Sequence, residues 1–168
     1  MEPRLRPLAA ADRAAVEGII AAVAVFSPEE VEIALELVDE WLESGAESGY
    51  LTYVIEETAE TGKGTVRGFV CFGPTPLTEG TYDLYWVAVD PAAQGRGYGQ
   101  RLLAFAESEV GRLGGRLLLI ETASHEAYAA TVRFYERAGY ELVSRIPNFY
   151  RAGDDKLTFA KTIRMPSG

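Results

Sequence analysis

The sequence contains one cysteine, Cys71, and one histidine, His125, among its 168 residues. A lone cysteine excludes an internal disulfide, which is typical of a protein in a reducing compartment. One thiol and one imidazole are also too few for the usual ligand sets of a zinc site, so we expect no metal. The apolar run at residues 19–26 is too short to cross a bilayer, and residues 1–6 precede no signal-peptide pattern. We therefore expect a cytoplasmic protein with no membrane partner.

Positive charge is also scarce, with 16 lysine and arginine residues against 25 aspartate and glutamate residues and a net charge of −9. The imbalance is greatest at residues 27–62, which hold eleven acidic residues and no lysine or arginine. Such a field repels a polyanion, so nucleic acid is not an expected partner, and it attracts a cationic substrate. The other interpretation of the same run is a solvated acidic helix face.

Hydrophobic residues make up 48% of the chain and aromatic residues 11%, which excludes a disordered protein. A chain of 168 residues is long enough to bury a core without a disulfide or a metal. We expect one domain over residues 1–168, with no internal repeat or linker.

Patterns in the first half of the chain predict helices followed by a meander of three antiparallel strands. Ser27, Pro28 and Glu30 form a capping-box pattern, in which the serine side chain and the glutamate side chain satisfy each other's backbone amides. Runs rich in β-forming residues at 50–56 and 65–72 flank a glycine-containing turn, which predicts a hairpin.

Patterns in the second half predict a strand, a helix and a closing hairpin. The apolar run at residues 116–121 predicts a strand that is buried on both faces and parallel to its predecessor. The helical pattern at residues 126–138 stops at Gly139 in the manner of a Schellman cap. Pro147 lacks a backbone donor, so we expect it at a sheet edge or a bulge.

A glycine-rich segment lies between a strand-like run at residues 82–89 and an amphipathic helical pattern. It reads Gln94-Gly95-Arg96-Gly97-Tyr98-Gly99, and Gln100 follows it. Glycines at alternate positions allow positive φ and a close approach of the backbone to a ligand. At the start of a helix the amides lack partners and lie at the positive end of the helix dipole, which favours a pyrophosphate. Arg96 adds the one full positive charge.

Two better-known phosphate loops do not fit this segment. A Walker loop ends in Gly-Lys-Ser/Thr, which is absent, and the dinucleotide fingerprint would need glycine at Gln100 or Leu102. The pattern that fits is Gln/Arg-x-x-Gly-x-Gly/Ala, from Gln94 through Gly97 to Gly99. A glycine turn with a purely structural role is the alternative.

A second motif, Phe134-Tyr135-x-x-x-Gly139-Tyr140, follows about forty residues later. Together the two motifs and the order of predicted elements resemble the GNAT family of N-acetyltransferases over nearly the whole chain. The resemblance implies an α+β fold of α/β/α type. Its mixed, mostly antiparallel sheet has six to seven strands with a central parallel pair, and about four helices flank it. The final segment of the chain also resembles that of bacterial ribosomal-protein N-terminal alanine acetyltransferases.

The resemblance implies that acetyl-CoA is the cosubstrate. Its pyrophosphate is then bound by seven loop residues: Gln94, Gly95, Arg96, Gly97, Tyr98, Gly99 and Gln100. The pantetheine arm is expected to pair with backbone groups of Val87, Ala88 and Val89, and the Val89 amide to hold the thioester oxygen as it gains charge. Tyr128 stands where that subfamily has an asparagine, and we expect it to pack on the cofactor.

Tyr135 corresponds to the family's tyrosine that faces the sulfur and supplies a proton or a hydrogen bond as the thiolate leaves. A tyrosine pKa of about 10 makes a weak acid, so this help comes as negative charge builds on sulfur. The alternative is an aromatic side chain that only packs in the core.

The acceptor amine must be neutral when it attacks, which costs about 4 to 5 kcal/mol for a lysine amine at pH 7 and about 1 for an α-amino group. Glu121 is the first candidate for the base, because its position resembles the catalytic glutamate of those N-terminal acetyltransferases. Asp83, Tyr85 and His125 are the other candidates. A carboxylate that only caps the end of a strand is the alternative for Glu121.

Cys71 lies in an apolar strand without a histidine, which favours packing over an acyl-carrier role and hence direct transfer from CoA to the amine. Two rival functions stay open, an acyl-CoA-binding sensor without turnover and a nucleotide-dependent oxidoreductase. The acceptor amine, the acyl chain length and the oligomeric state, a homodimer included, are left open.

Overall fold

The computed structural model describes residues Glu2–Ile163. Within that range lie seven strands and four α-helices. In chain order they are β1 (Arg4–Pro7), α1 (Arg13–Ala22), α2 (Pro28–Ser44), β2 (Leu51–Thr58), β3 (Gly64–Pro74), β4 (Thr81–Val89), α3 (Tyr98–Arg112), β5 (Leu117–Ala123), α4 (Ala129–Arg137), β6 (Glu141–Arg151) and β7 (Asp154–Thr162). The strand order is β1-β2-β3-β4-β5-β7-β6. The predicted α+β fold with a seven-stranded mixed sheet and four helices is confirmed.

Strand pairing follows the predicted pattern. β1 with β2, β2 with β3, β5 with β7, and β6 with β7 are antiparallel pairs. β4 and β5 form the parallel pair, in a register that joins Thr81–Leu84 to Leu117–Ile120. Both strands continue past that register, β4 to Val89 and β5 to Ala123.

The described residues fall into two compact units. The first comprises the chain up to Gly73 together with Tyr85–Ala106, and the second comprises Pro74–Leu84 together with the chain from Glu107 onward. The single domain expected over residues 1–168 stays a prediction. Within residues 2–163, no helix is long and apolar enough to cross a membrane.

The core of the first unit lies between helices α1 and α2 and strands β2 and β3. Its buried members are Leu8, Val16, Ile19, Ile20, Ala34, Val38, Val54, Phe69, Cys71 and Ala88. Ala34 and Val38 are fully buried, as the helical spacing of the apolar residues of α2 predicts.

The capping box at the start of α2 is present. Ser27 Oγ accepts a hydrogen bond from the Glu30 amide at 3.2 Å, and Glu30 Oε2 accepts one from the Ser27 amide at 2.6 Å. Pro28 is the first helical residue, and Gly45 follows the last one with a positive φ of 56°. Helix α2 therefore begins at its capping box and ends at a glycine, as the local sequence favours.

In the second unit, β5 is less buried than expected. Leu118 and Ile120 are buried, whereas Leu117 and Leu119 are only half-buried and Glu121 is exposed. A strand whose side chains alternate in this way has one face turned to the core, so the prediction of burial on both faces is wrong. The apolar residues at all four positions concealed the alternation.

The end of α4 is a Schellman motif. The Tyr140 amide donates to the Tyr135 carbonyl at 3.1 Å and the Gly139 amide donates to the Glu136 carbonyl at 3.0 Å. Gly139 has a φ of +92°, which a residue with a side chain rarely adopts. The predicted helix end is confirmed.

Strand β6 is the last in the sheet order, and every one of its side chains is exposed. Its register with β7 is irregular between Ile146 and Arg151, around Pro147. The proline therefore lies at an edge and in an irregular stretch, as its missing donor requires.

Replacing the capping serine tests how much α2 depends on its first turn. We expect Ser27→Ala to lower the free energy of unfolding by about 1 kcal/mol, because the Glu30 amide loses its acceptor. Ser44→Ala, at the other end of the same helix, is the control and should change the value by less than about 0.5 kcal/mol. Urea unfolding measures both, and equal losses would contradict the capping role.

Candidate active site

The glycine-rich loop leads directly into helix α3. The Arg101 amide donates to the Gly97 carbonyl at 3.1 Å, which is the first helical hydrogen bond. The amides of Tyr98, Gly99 and Gln100 precede it, so they have no carbonyl one turn back within the helix. The positive end of the helix dipole lies at the same place. This is the arrangement predicted from the sequence for binding an anion.

The backbone of the loop leaves open space around its glycines. Gly95 has a φ of +81° and Gly97 a φ of +79°, and no heavy atom lies within 4 Å of the position that a Cβ would take at either residue. Side chains there would be strained and would fill that space. The loop thus fits a diphosphate group, because backbone donors and room for the ligand occur together.

The start of the loop is fixed by Asp90. Its Oδ1 accepts a hydrogen bond from the Ala92 amide at 3.0 Å, and its own amide donates to the Arg67 carbonyl at 2.7 Å. Its Oδ2 accepts from Arg67 Nη1 at 3.1 Å. Strand β3 therefore holds the turn at Pro91–Ala93 from which the loop departs.

The far end of the loop is held by Glu57 of strand β2. Glu57 Oε1 accepts hydrogen bonds from Arg96 Nη1 at 2.9 Å and from the Tyr98 hydroxyl, and Glu57 Oε2 accepts from Arg67 Nε at 3.0 Å. The hydrogen bond from Tyr98, followed by that from Arg67, holds the pKa of the Glu57 carboxyl below its ordinary value. The full positive charge predicted at Arg96 is present, and it is paired with the Glu57 carboxylate.

The sequence did not single out Glu57 or Arg67. Glu57 is one of eleven acidic residues at 27–62, and its partners Arg96 and Tyr98 lie 39 and 41 residues further along the chain. No local pattern predicts pairs at such a distance. The Asp90 cap was accessible to sequence reasoning, because an aspartate before proline is a common start of a turn.

Strand β4 ends with the three residues predicted to meet the pantetheine arm. Ala88 is buried, and Val87 and Val89 are half-buried. These residues follow Leu84, the last residue of β4 in its parallel register with β5. The binding role of their backbone groups stays a prediction.

Tyr135 lies in α4 and only 5% of it is exposed. Its ring packs against Phe134, Tyr140 and Phe159, with centroids 5.5, 6.1 and 6.2 Å away. Burial raises the pKa of the Tyr135 hydroxyl above its ordinary value, since the phenolate would lose its hydration. The phenol therefore keeps its proton at neutral pH, which a hydrogen-bond donor requires.

The first candidate base, Glu121, directly follows the last residue of β5 in the parallel register. Its side chain is 53% exposed, and its Oε1 lies 3.2 Å from Lys156 Nζ. Among the other candidates, Asp83 accepts a hydrogen bond from Thr75 Oγ1 at 2.6 Å. The structure thus gives each carboxylate a different partner.

Two further candidates make aromatic contacts. His125 packs edge-on against Tyr128, with centroids 4.8 Å apart, and its Nε2 lies 3.9 Å from Asp154 Oδ2. Tyr128 is buried at the start of α4. Tyr85 packs edge-on against Tyr50, with centroids 5.3 Å apart. None of these contacts tests a catalytic role.

Cys71 is fully buried in β3, and burial raises the pKa of its thiol to about 12. A protonated, inaccessible thiol is a poor nucleophile, which agrees with the predicted packing role. Between Glu2 and Ile163, no cluster of three or more histidine, cysteine or acidic side chains could hold a metal ion.

The comparison with family models decides the class of protein. Residues 48–142 match the model for the acetyltransferase (GNAT) domain. The chain belongs to the GNAT family. Residues 48–142 of this GNAT protein thus form an acetyltransferase (GNAT) domain. The resemblance drawn from the two motifs is confirmed, and the oxidoreductase alternative is set aside.

Similar proteins agree with that family. A GNAT-family protein from Desulfovibrio desulfuricans, known from a crystal structure, is 42% identical with a TM-score of 0.91, covering 97% of this chain and 100% of that one. The L-methionine sulfoximine/L-methionine sulfone acetyltransferase of Salmonella typhimurium is 30% identical over 109 residues, or 64% of this chain. This GNAT protein spans 60% or less of the length of the curated relatives it matches.

The ribosomal-protein-S18-alanine N-acetyltransferase of Escherichia coli has a TM-score of 0.73 and 22% identity, covering 99% of this chain and 97% of that one. The likeness to this subfamily noted in the sequence is thus a likeness of fold.

Burial of Tyr135 predicts a late titration of its hydroxyl. As the pH rises through about 10, the wild-type protein and Tyr135→Phe should gain the same phenolate absorbance, because the buried phenol still holds its proton. In urea the variant should lack one phenolate in that range, since the unfolded chain exposes the group. An absorbance difference near pH 10 in the folded proteins would contradict the raised pKa.

Proposed function

We propose that this acetyltransferase moves an acetyl group directly from acetyl-CoA to a primary amine of a small or peptidyl, cationic substrate. The observation that carries the proposal is the loop at the start of α3, where amides without a partner one turn back in the helix occur together with open space around Gly95 and Gly97. Acetyl-CoA, when bound, supplies the acetyl thioester. The chain's own residues bind it, orient it and handle the protons.

In this proposal the loop binds the diphosphate through backbone N–H groups. The residues concerned are Gln94, Gly95, Arg96, Gly97, Tyr98, Gly99 and Gln100. Backbone groups of Val87, Ala88 and Val89 bind the pantetheine arm, and the Val89 amide donates to the thioester oxygen. Tyr128 packs on the cofactor. These roles rest on the family motif, matched residue by residue, and on the exposed position of the loop.

Tyr135 donates a hydrogen bond, and then a proton, to the leaving sulfur. Support comes from the family motif, in which Tyr135 matches the tyrosine that faces the sulfur. The raised pKa makes the phenol a weaker acid, so Tyr135 acts first as a hydrogen-bond donor and gives up its proton only as negative charge builds on the sulfur. A packed aromatic without a catalytic role remains the rival, because the same burial against Phe159 would serve the core equally well.

Glu121 accepts the proton of the attacking amine, directly or through water. It is an exposed carboxylate of β5 that pairs with Lys156 at 3.2 Å, whereas Asp83 accepts a hydrogen bond from Thr75. An acceptor with an α-amino group would need little help from such a base, since its pKa lies near 8. Tyr85 and His125 are the remaining candidates.

Removing the Tyr135 hydroxyl separates catalysis from packing. We expect Tyr135→Phe to bind CoA within about threefold of wild type, and kcat to fall about 100-fold through loss of the proton donor. Release of free thiol from acetyl-CoA with a panel of amines measures kcat. The exposed Tyr150→Phe is the control and should keep wild-type kcat. Undiminished turnover by Tyr135→Phe would leave the tyrosine with a packing role only.

The acidic surface supports a cationic acceptor. Four of the eleven acidic residues at 27–62 are tied within the fold: Glu30 in the capping box, Asp39 to Arg13, Glu56 to Arg6, and Glu57 to Arg67 and Arg96. The other seven are exposed: Glu29, Glu32, Glu36, Glu40, Glu43, Glu47 and Glu60. Such a field raises the local concentration of a cation.

A panel of acceptors that differ in charge tests this preference. We expect kcat/KM to be highest for amines with a second positive charge, lower for a neutral α-amino acid such as methionine sulfoximine, and lowest for an anionic amine. Added salt should reduce the advantage of the cations, because exposed charges are screened. A preference for anionic acceptors would remove the argument from charge.

A further inference from the structure

Glu57 brings together three donors from separate parts of the first unit. Its carboxylate accepts from Arg67 of β3 and from Arg96 and Tyr98 of the glycine-rich loop. Only 25% of the Glu57 side chain is exposed, and the side chains of Arg67 and Arg96 are 26% and 54% exposed. A carboxylate with three strong donors is held in one orientation, and it holds its donors in turn.

The same network reaches both ends of the loop. Arg67 bridges Glu57 to Asp90, whose carboxylate caps the turn at Pro91–Ala93. Arg96 and Tyr98 lie at the other end, where α3 begins. A loop with glycines at positions 95 and 97 has a flexible backbone, and fixing both ends lowers the entropy lost when a ligand binds.

The charges of this network do not favour attraction of the diphosphate. Glu57 and Asp90 balance Arg67 and Arg96, and a carboxylate near a diphosphate repels it. A glutamate at this place therefore opposes binding through its charge. It favours binding only by orienting the loop.

We propose that Glu57 is a positioning residue for the diphosphate loop, holding Arg96 and Tyr98 in place for the phosphates of CoA; this rests on the binding role proposed above for that loop. The two effects of Glu57 have opposite signs. Loss of the carboxylate weakens CoA binding where positioning dominates and strengthens it where repulsion dominates.

Calorimetric titration with CoA shows whether positioning or repulsion by Glu57 dominates. We expect Glu57→Ala to bind CoA about tenfold more weakly than wild type, which is the loss of about one charge-assisted hydrogen bond. Glu60→Ala removes the same charge from the same hairpin at an exposed position and is the matched control, expected within twofold of wild type. Binding by Glu57→Ala that equals or exceeds wild type would overturn the proposal.

Two further measurements guard against a loss of folding. Tyr98→Phe removes one donor to Glu57 without a change of charge, and it should also bind CoA more weakly. In turnover, KM for acetyl-CoA should rise in both variants with kcat within twofold of wild type, whereas general damage would lower kcat too. Where Glu57→Ala does not fold, equal or tighter CoA binding by Tyr98→Phe overturns the proposal.

The binding role of the loop is tested separately by the wild type. If wild type and Glu60→Ala both fail to bind CoA, the loop assignment itself is wrong, and the role of Glu57 falls with it. A loss of CoA binding confined to Glu57→Ala and Tyr98→Phe supports both the loop assignment and the role of Glu57.

Discussion

The first-turn amides of α3 are the constraint on which the site depends. Every helix leaves its first N–H groups without helical partners, and most proteins satisfy them with a capping side chain. Helix α2 does so with Ser27 and Glu30. Helix α3 instead begins after two glycines at positive φ with open space beside them. The first turn of α2 is capped by its own side chains, whereas the first turn of α3 is left available to an anion.

An anion site made of backbone amides suits a chain with a net charge of −9. A site that relied on side-chain cations would need several arginines, and the acidic residues at 27–62 would compete for them, as Glu57 does for Arg96. Peptide dipoles carry no net charge that a carboxylate can neutralise by pairing. In the proposed binding mode the loop would draw its affinity for phosphate mainly from its backbone amides, while Arg96 and Glu57 would order it. The same acidic surface stays free to attract a cation.

What could be predicted from the sequence depended on distance along the chain. The capping box, the Schellman motif after α4 and the glycine-rich loop involve residues within six positions of each other, and the backbone geometry of each was predicted correctly. The parallel pairing of β5 also followed, because a buried strand after a helix has few alternatives. The contacts of Glu57 join strand β2 to a loop some forty residues away, and no periodicity encodes them. The half-buried face of β5 was missed because leucine stands at half-buried and buried positions alike.

The roles proposed for the loop and for Tyr135, anion binding and proton donation, place opposite demands on burial. An anion-binding loop must be open to the ligand, and residues 94–97 are exposed. The removal of Tyr135 from water makes its phenolate costly, which keeps the phenol protonated but also makes it a weaker acid. The aromatic packing that stabilises the second unit around Phe159 is thus the same feature that sets the protonation state of its candidate acid. In the role proposed for Tyr135, burial in the core therefore favours a hydrogen bond to the leaving sulfur over an early transfer of the proton.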